Sequence, residues 1–207
     1  TNRTIHLPPN PHEAMEGASS VGSGTYGNDA YFSFGNPQNR AFMDDSDDWN
    51  FGTGDFCIDL NYGMREANYT NSLLKQPVLT QSIYDSANDK MSNNDSSFAI
   101  TICRVSTNNQ DPHFKHWKVA AYISDGNDVK EVINSNITNT NNHHTIWFHI
   151  ALIRKSDELY LFLDGQGDKI NIGSGYNITN SSRVLMINHW SDLNGQNGTS
   201  NHKMNNI

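Results

Sequence analysis

From Ala30 onward, apolar residues come in short runs separated by clusters of Asn, Asp, Gly and Ser, a spacing that predicts many strands joined by tight turns. Within the runs the period is two. Over 56–62, Phe56, Ile58, Leu60 and Tyr62 share one face and Cys57, Asp59 and Asn61 the other, which predicts a strand with one side in a core. The same alternation sets Phe98, Ile100 and Ile102 against Ala99, Thr101 and Cys103. It also sets Trp117, Val119, Ala121 and Ile123 against Lys118, Ala120 and Tyr122. Ile146 to Ile153 is almost continuously apolar, Lys155-Ser156-Asp157 reads as a turn and Glu158 to Leu163 as a returning strand, so a β-hairpin is expected here. Asp164-Gly165 supplies the positive φ angles of another tight turn, and Arg183 to Asn188 gives a final strand. No eleven-residue stretch keeps apolar residues at i, i+3, i+4 and i+7, so helix is expected only in short turns.

Strands that are apolar on one side need a second sheet to cover them, and the economical architecture is an all-β, two-sheet antiparallel sandwich. A length of 207 residues fits one such domain. Residues 1–29 differ from the rest. They carry Pro8, Pro9 and Pro11 and then a Ser/Gly stretch from Gly17 to Gly27, too little apolar surface to order themselves, and read as a linker or an arm laid on a neighbour. The expected division is an arm over 1–29 and a sandwich domain over 30–207. The chain opens on Thr1 and not on Met, which is expected of a processed chain or a piece of a longer one.

Two segments resemble a known family. Asp48-Trp49-Asn50-Phe51-Gly52-Thr53-Gly54-Asp55-Phe56-Cys57-Ile58-Asp59 is similar to the entry segment of laminin-G-like jelly rolls. Trp147-Phe148-His149-Ile150-Ala151-Leu152-Ile153-Arg154, followed by Leu159 to Gly165, is similar to their later hairpin. Leu73-Leu74-Lys75 resembles the short strand after the first motif. The resemblance implies a concanavalin A-like jelly roll, a secreted or surface setting and a binding or structural role. Three departures stand out. The family usually has an aromatic where Asn61 stands and an Asp where Asn205 stands. Its domains also continue through one more strand, so a closing strand is expected either beyond Ile207 or from a neighbour, with an unpaired sheet edge in the isolated chain.

Charge narrows the partners. The formal net charge is −8 and no basic stripe occurs, which argues against nucleic acid. No apolar run approaches the length that spans a bilayer, so no membrane insertion is expected. Charged residues make up only 17 %, and Asn supplies roughly one residue in seven, so the surface relies on uncharged polar groups.

Candidate chemistry is sparse. Glycoside hydrolases of this fold resemble one another in a Glu-x-Asp-x-Glu strand that sets two carboxylates across the sugar bond; no such triplet occurs, so an enzyme is not expected. The dense acidic cluster Asp44, Asp45, Asp47 and Asp48 is a candidate calcium site, since a hard cation takes several loop oxygens. It lacks the Gly and distal Glu of an EF-hand, and reads first as a solvated turn whose first members cap a short helical turn before Phe51. His113, His116, His143, His144 and His149 invite a zinc or nickel reading, but His149 falls where the family has a core-strand His. Cys57 and Cys103 are too few for a disulfide framework and pair only if their strands are neighbours. Several sequons occur, including Asn68-Tyr69-Thr70, Asn136-Ile137-Thr138 and Asn177-Ile178-Thr179, and since this composition generates about five by chance they are weak evidence of glycosylation. For a glycan, aromatic platforms beside amide and carboxylate partners are wanted, and Asp59, Asn61, Lys118 and Tyr122, on the outward parity of their strands, are the candidate ligand-binding residues. The expected partners are a glycan or surface protein, or neighbouring subunits of a cell-surface or virion assembly.

Overall fold

The computed structural model describes residues 15–16, 21–23, 30–34, 40–43, 45–64, 75–85, 87–88, 90–105, 115–136, 138–140, 146–188, 190 and 202–205. The strands among them are β1 (Met15–Glu16), β2 (Val21–Ser23), β3 (Ala30–Phe34), β4 (Arg40–Met43), β5 (Phe56–Met64), β6 (Lys75–Gln81), β7 (Tyr84–Asp85), β8 (Lys90–Met91) and β9 (Phe98–Val105). They continue with β10 (Lys115–Ser124), β11 (Val129–Ile133), β12 (Thr138–Thr140), β13 (Ile146–Lys155), β14 (Glu158–Leu163), β15 (Gln166–Asn171), β16 (Leu185–Ile187) and β17 (His202–Asn205). The helical element described is one 3-10 turn, Asp47–Trp49.

The front sheet runs β1-β4-β16-β6-β9-β10-β11, with β12 also pairing on β10, and the back sheet runs β15-β14-β13-β5-β17-β3-β2. The paired strands that carry the core are antiparallel. The architecture is the all-β, two-sheet antiparallel sandwich that the alternating pattern predicts.

Inward positions of both sheets meet in one core. Ile58, Leu60, Tyr62, Phe148, Ile150 and Leu152 come from the back sheet, and Phe98, Ile100, Ile102, Trp117, Val119 and Ile123 from the front. Each such side chain, fully buried, is worth about 1.5–3 kcal/mol relative to exposure.

The two segments that resemble the family are one physical unit. β5 and β13 pair from Phe56↔Arg154 to Met64↔Ile146, and the loop before β5 is tied to the turn after β13. Arg154, buried on the inward parity, donates from Nε to Ser156 O at 3.0 Å and from Nη1 to Gly52 O at 2.9 Å. Ser156 N donates to Asp55 Oδ1 at 2.6 Å. Burial lowers the Arg154 guanidinium pKa, against the pull of Asp55 and Tyr176. At the next turn, Asp164 and Gly165 take φ of 50° and 79°, the positive pair that a two-residue hairpin loop between β14 and β15 requires.

The polar stretch that precedes the further strand expected beyond Ile207 or from a neighbour forms β17, which inserts between β5 and β3 and is paired on both sides. A strand this polar is held by ladders on two flanks, not by its own apolar period. Within 1–29, β1 pairs β4 and β2 pairs β3, so described parts of that stretch add short strands at sheet edges.

Candidate recognition surfaces on the two outer faces

The structure divides the four candidate ligand-binding residues between opposite sides. Asp59 and Asn61 lie on β5 in the back sheet, and Lys118 and Tyr122 on β10 in the front sheet. Both pairs are on outward parity, so the four do not converge on one surface.

On the back sheet the outward residues of β5, β13, β14 and β15 form two cross-strand rows, Asp59–Ala151–Phe162–Gly167 and Cys57–Ile153–Tyr160–Lys169. Asp59 Oδ1 pairs with His149 Nε2 at 2.8 Å, and both side chains are substantially exposed. Asn61 stands opposite His149 in the register. Tyr160 donates its hydroxyl to Glu158 Oε2, whose other oxygen accepts from Lys169 Nζ at 2.5 Å. Those hydrogen bonds hold the Glu158 carboxyl below its ordinary value, Lys169 contributing more than Tyr160. Tyr160 and Phe162 are partly exposed, and Tyr160 to Phe162 is an aromatic pair that the sequence reading passed over. The available signal was the alternation of Leu159, Leu161 and Leu163 with aromatics, opposite a glycine within a strand.

The front sheet's outer face is closed over part of its area. Met91, Ala99, Ala120, Tyr122 and Trp190 form a second buried cluster, with Tyr84, Cys103 and Val129 packed against it. The β7–β8 ribbon and Trp190 supply the cover, and the Tyr84 and Trp190 rings lie 5.3 Å apart. Tyr122, an outward residue by parity, is fully buried. Its hydroxyl donates to Glu131, which also takes Lys75 Nζ at 3.0 Å, and that ammonium stands 4.9 Å from the Tyr122 ring centroid. Lys118 is partly exposed, and its charge reaches Asp168 at the sandwich's edge. The Asp168 carboxyl is held low first by Ser135's backbone and hydroxyl hydrogen bonds and only lastly by Lys118.

The acidic turn is capped, but by Ser46, whose hydroxyl accepts from Asp48 N at 3.2 Å. Asp45 Oδ1 accepts from Gln81 Nε2 at 3.0 Å, Asp47 and Asp48 are exposed, and Asp44 lies outside the described residues. Among the described residues no three His, Cys, Asp or Glu side chains are grouped to hold a metal ion, so the described carboxylates form no ready-made calcium cage. His113, His143 and His144 lie outside the described residues, as does the His116 side chain. Cys57 and Cys103 stand on the outer faces of different sheets, and no disulfide joins them. Burial, and then the Asp59 carboxylate, raise the Cys57 thiol pKa.

No protein family model matches the chain. No curated protein matches it either. Solved structures do. Mouse laminin α1 chain domains LG4-5 superpose with a TM-score of 0.49 at 8 % identity, covering 92 % of this chain and 43 % of that one, so the chain spans less than half of the laminin segment. Alginate lyase from Alteromonas sp. 272 gives 0.46 at 7 %, covering 99 % and 96 %. The VIP36 exoplasmic/lumenal domain, in a Ca2+/Man-bound form, gives 0.43 at 10 %, covering 86 % and 78 %. These are likenesses of fold at low identity; the chain's own strand order and register show an all-β, two-sheet antiparallel sandwich. Among the described residues no helix is long and apolar enough to cross a membrane.

Proposed function

We propose that this chain is a non-catalytic recognition module that binds a glycan or a protein at a cell or virion surface, and that the outer face of the back sheet is where it binds. The observation that supports this is the contrast between faces. The front sheet's outer residues are spent on a second buried cluster, whereas the back sheet presents Tyr160, Phe162 and Ile153 partly exposed, beside Asp59, His149, Glu158 and Lys169. Apolar surface ringed by a few directional polar groups is the usual make-up of a ligand site. Of the sequence candidates, Asp59 and Asn61 belong to this face; Tyr122, enclosed and bonded to Glu131, supports the front sheet instead.

A second reading, a structural or decoration subunit of a virion or surface assembly, draws on the short strands β1 and β2 at sheet edges, where an arm passing to a neighbour would start. Calcium belongs to either reading only as a ligand that gathers Asp47 and Asp48 at the acidic turn. A melting temperature raised by calcium and not in Asp47→Asn supports it; identical melting in calcium and in chelator removes it. A glycan array run beside sedimentation separates the main readings. Saturable binding by monomeric chain is the expected result, while multimerisation without any glycan or protein binding overturns it in favour of the subunit.

A further inference from the structure

Tyr160 and Phe162 sit two residues apart on β14 with ring centroids 6.2 Å apart and planes within 9° of parallel. Both are held in place. A Cβ added at Gly167, the cross-strand partner of Phe162, would meet ring atoms Cε1, Cδ1 and Cζ at 3.0 Å or closer, so the ring leans across β15 into space that only a glycine leaves open. Tyr160 is anchored through its hydroxyl to Glu158, and Lys169 Nζ lies 5.5 Å from its ring centroid. Across the row from Phe162, past the small Ala151, stands Asp59 with its His149 partner.

A pyranose ring has C–H faces and a hydroxyl rim. Its faces pack on flat aromatic rings, and its rim needs fixed donors and acceptors at the sides. Two parallel rings flanked by Asp59–His149 on one side and Glu158–Lys169 on the other meet both needs. Charge selects among sugars. Asp59, Glu158 and Lys169 together carry −1 on the flanks and the chain carries a net −8, so uronate or sulfate groups would be disfavoured. A protein partner fits less well: among the described residues Ile133 is the exposed large hydrophobic, and it stands on β11 of the front sheet, away from this face. We infer that the outer face of the back sheet is a stacking platform for an uncharged pyranose chain, with Tyr160 and Phe162 under the sugar rings and the two flanking pairs on their hydroxyls. This rests on the recognition reading above and names its ligand class.

The test is a polysaccharide array holding neutral and anionic chains, followed by titration calorimetry with the neutral oligosaccharide that binds best. Binding should be confined to neutral chains and fall about tenfold or more in Phe162→Ala and in Tyr160→Ala. Phe162→Leu keeps an apolar side chain and should keep the circular-dichroism melt while losing affinity; Phe162→Trp should restore it. Neutral binding that persists unchanged in the doubly substituted chain overturns the platform and leaves the recognition reading standing. Binding only to anionic chains overturns it as well. If monomeric chain binds no glycan on the array, the platform falls, and with it the glycan form of that reading.

Discussion

The two outer faces of this sandwich start from the same strand chemistry and end differently. Each presents an aromatic on outward parity next to a Lys–Glu pair: Tyr122 with Lys75 and Glu131 in front, Tyr160 with Lys169 and Glu158 behind. In front, the β7–β8 ribbon and Trp190 fold over, and Tyr122 becomes part of a second core. Behind, no described element covers Tyr160 or Phe162, and the same triad of groups stays at the solvent boundary. Identical side-chain types thus serve stability on one side and surface chemistry on the other, and what decides is whether a distant segment returns to cover them.

The sharpest way to break this comparison is to truncate one aromatic on each face. Trp190→Ala removes a side chain that is 1 % exposed, and a cavity of that kind costs about 3–5 kcal/mol, or roughly 6–20 °C of melting temperature for a chain of this size. Phe162→Ala should cost less, about 1–2 kcal/mol, because a partly exposed ring has less burial to lose. Urea unfolding of both variants checks this; equal losses would mean that the back face is also enclosed.

A smaller effect is expected at the front triad. Tyr122→Phe keeps the ring in the second cluster but removes a hydroxyl whose own end is fully buried while its acceptor Glu131 is exposed, so the loss should be about 1–1.5 kcal/mol. Both glutamates are reached by water, but Tyr160, unlike Tyr122, is itself partly exposed, so the counterpart Tyr160→Phe should cost less, below about 1 kcal/mol. The two melts, read side by side, should differ in that order, and the reverse order would refute the assignment of enclosed and open faces.

This contrast also marks what the sequence could tell. Strands over 56–64, 98–105, 115–124 and 146–163 are legible because their inward residues alternate strictly and the Asp164-Gly165 turn has one backbone solution. β15 is not, since Gln166–Asn171 carries Ile170 as its one large apolar residue and owes its place to the turn and to pairing with β14. β6 hides behind Gln76 and Pro77, with a register shift between Pro77 and Leu79. β17 has no apolar period at all. Parity set Asp59, Asn61, Lys118 and Tyr122 on the outward sides of their strands, but parity is local. It cannot say which of two sheets an outward residue faces away from, nor that Trp190 will arrive over Tyr122.

Gly167→Ala probes the open face with a smaller perturbation still. The new methyl must displace the Phe162 ring, which can swing toward solvent, so stability should change by less than about 1 kcal/mol. The ring resonances of Phe162 and of its neighbour Tyr160 should nevertheless shift in the nuclear magnetic resonance spectrum, while those of Tyr122 stay put. Unmoved Phe162 resonances would show that the ring does not lie over β15.

The smallest effect concerns acid. Glu158 sits below its ordinary value of 4.5 in the folded chain, through Lys169 first and Tyr160 second, so its ionised form stabilises the fold at neutral pH. A depressed carboxylate contributes stability that is fully present above the unfolded value and is lost as pH falls through the folded one. Glu158→Gln should therefore be less stable than the parent at pH 7, by an amount that shrinks from about pH 4.5 downward and vanishes once both chains carry a neutral side chain there. The pair is exposed, so salt should shrink the same difference at pH 7. Paired urea titrations at pH 7 and pH 3, with and without added salt, measure it directly. A gap that persists undiminished at pH 3 would mean that Glu158 acts through packing, and that the back face is more enclosed than its exposed Lys169–Glu158 pair implies.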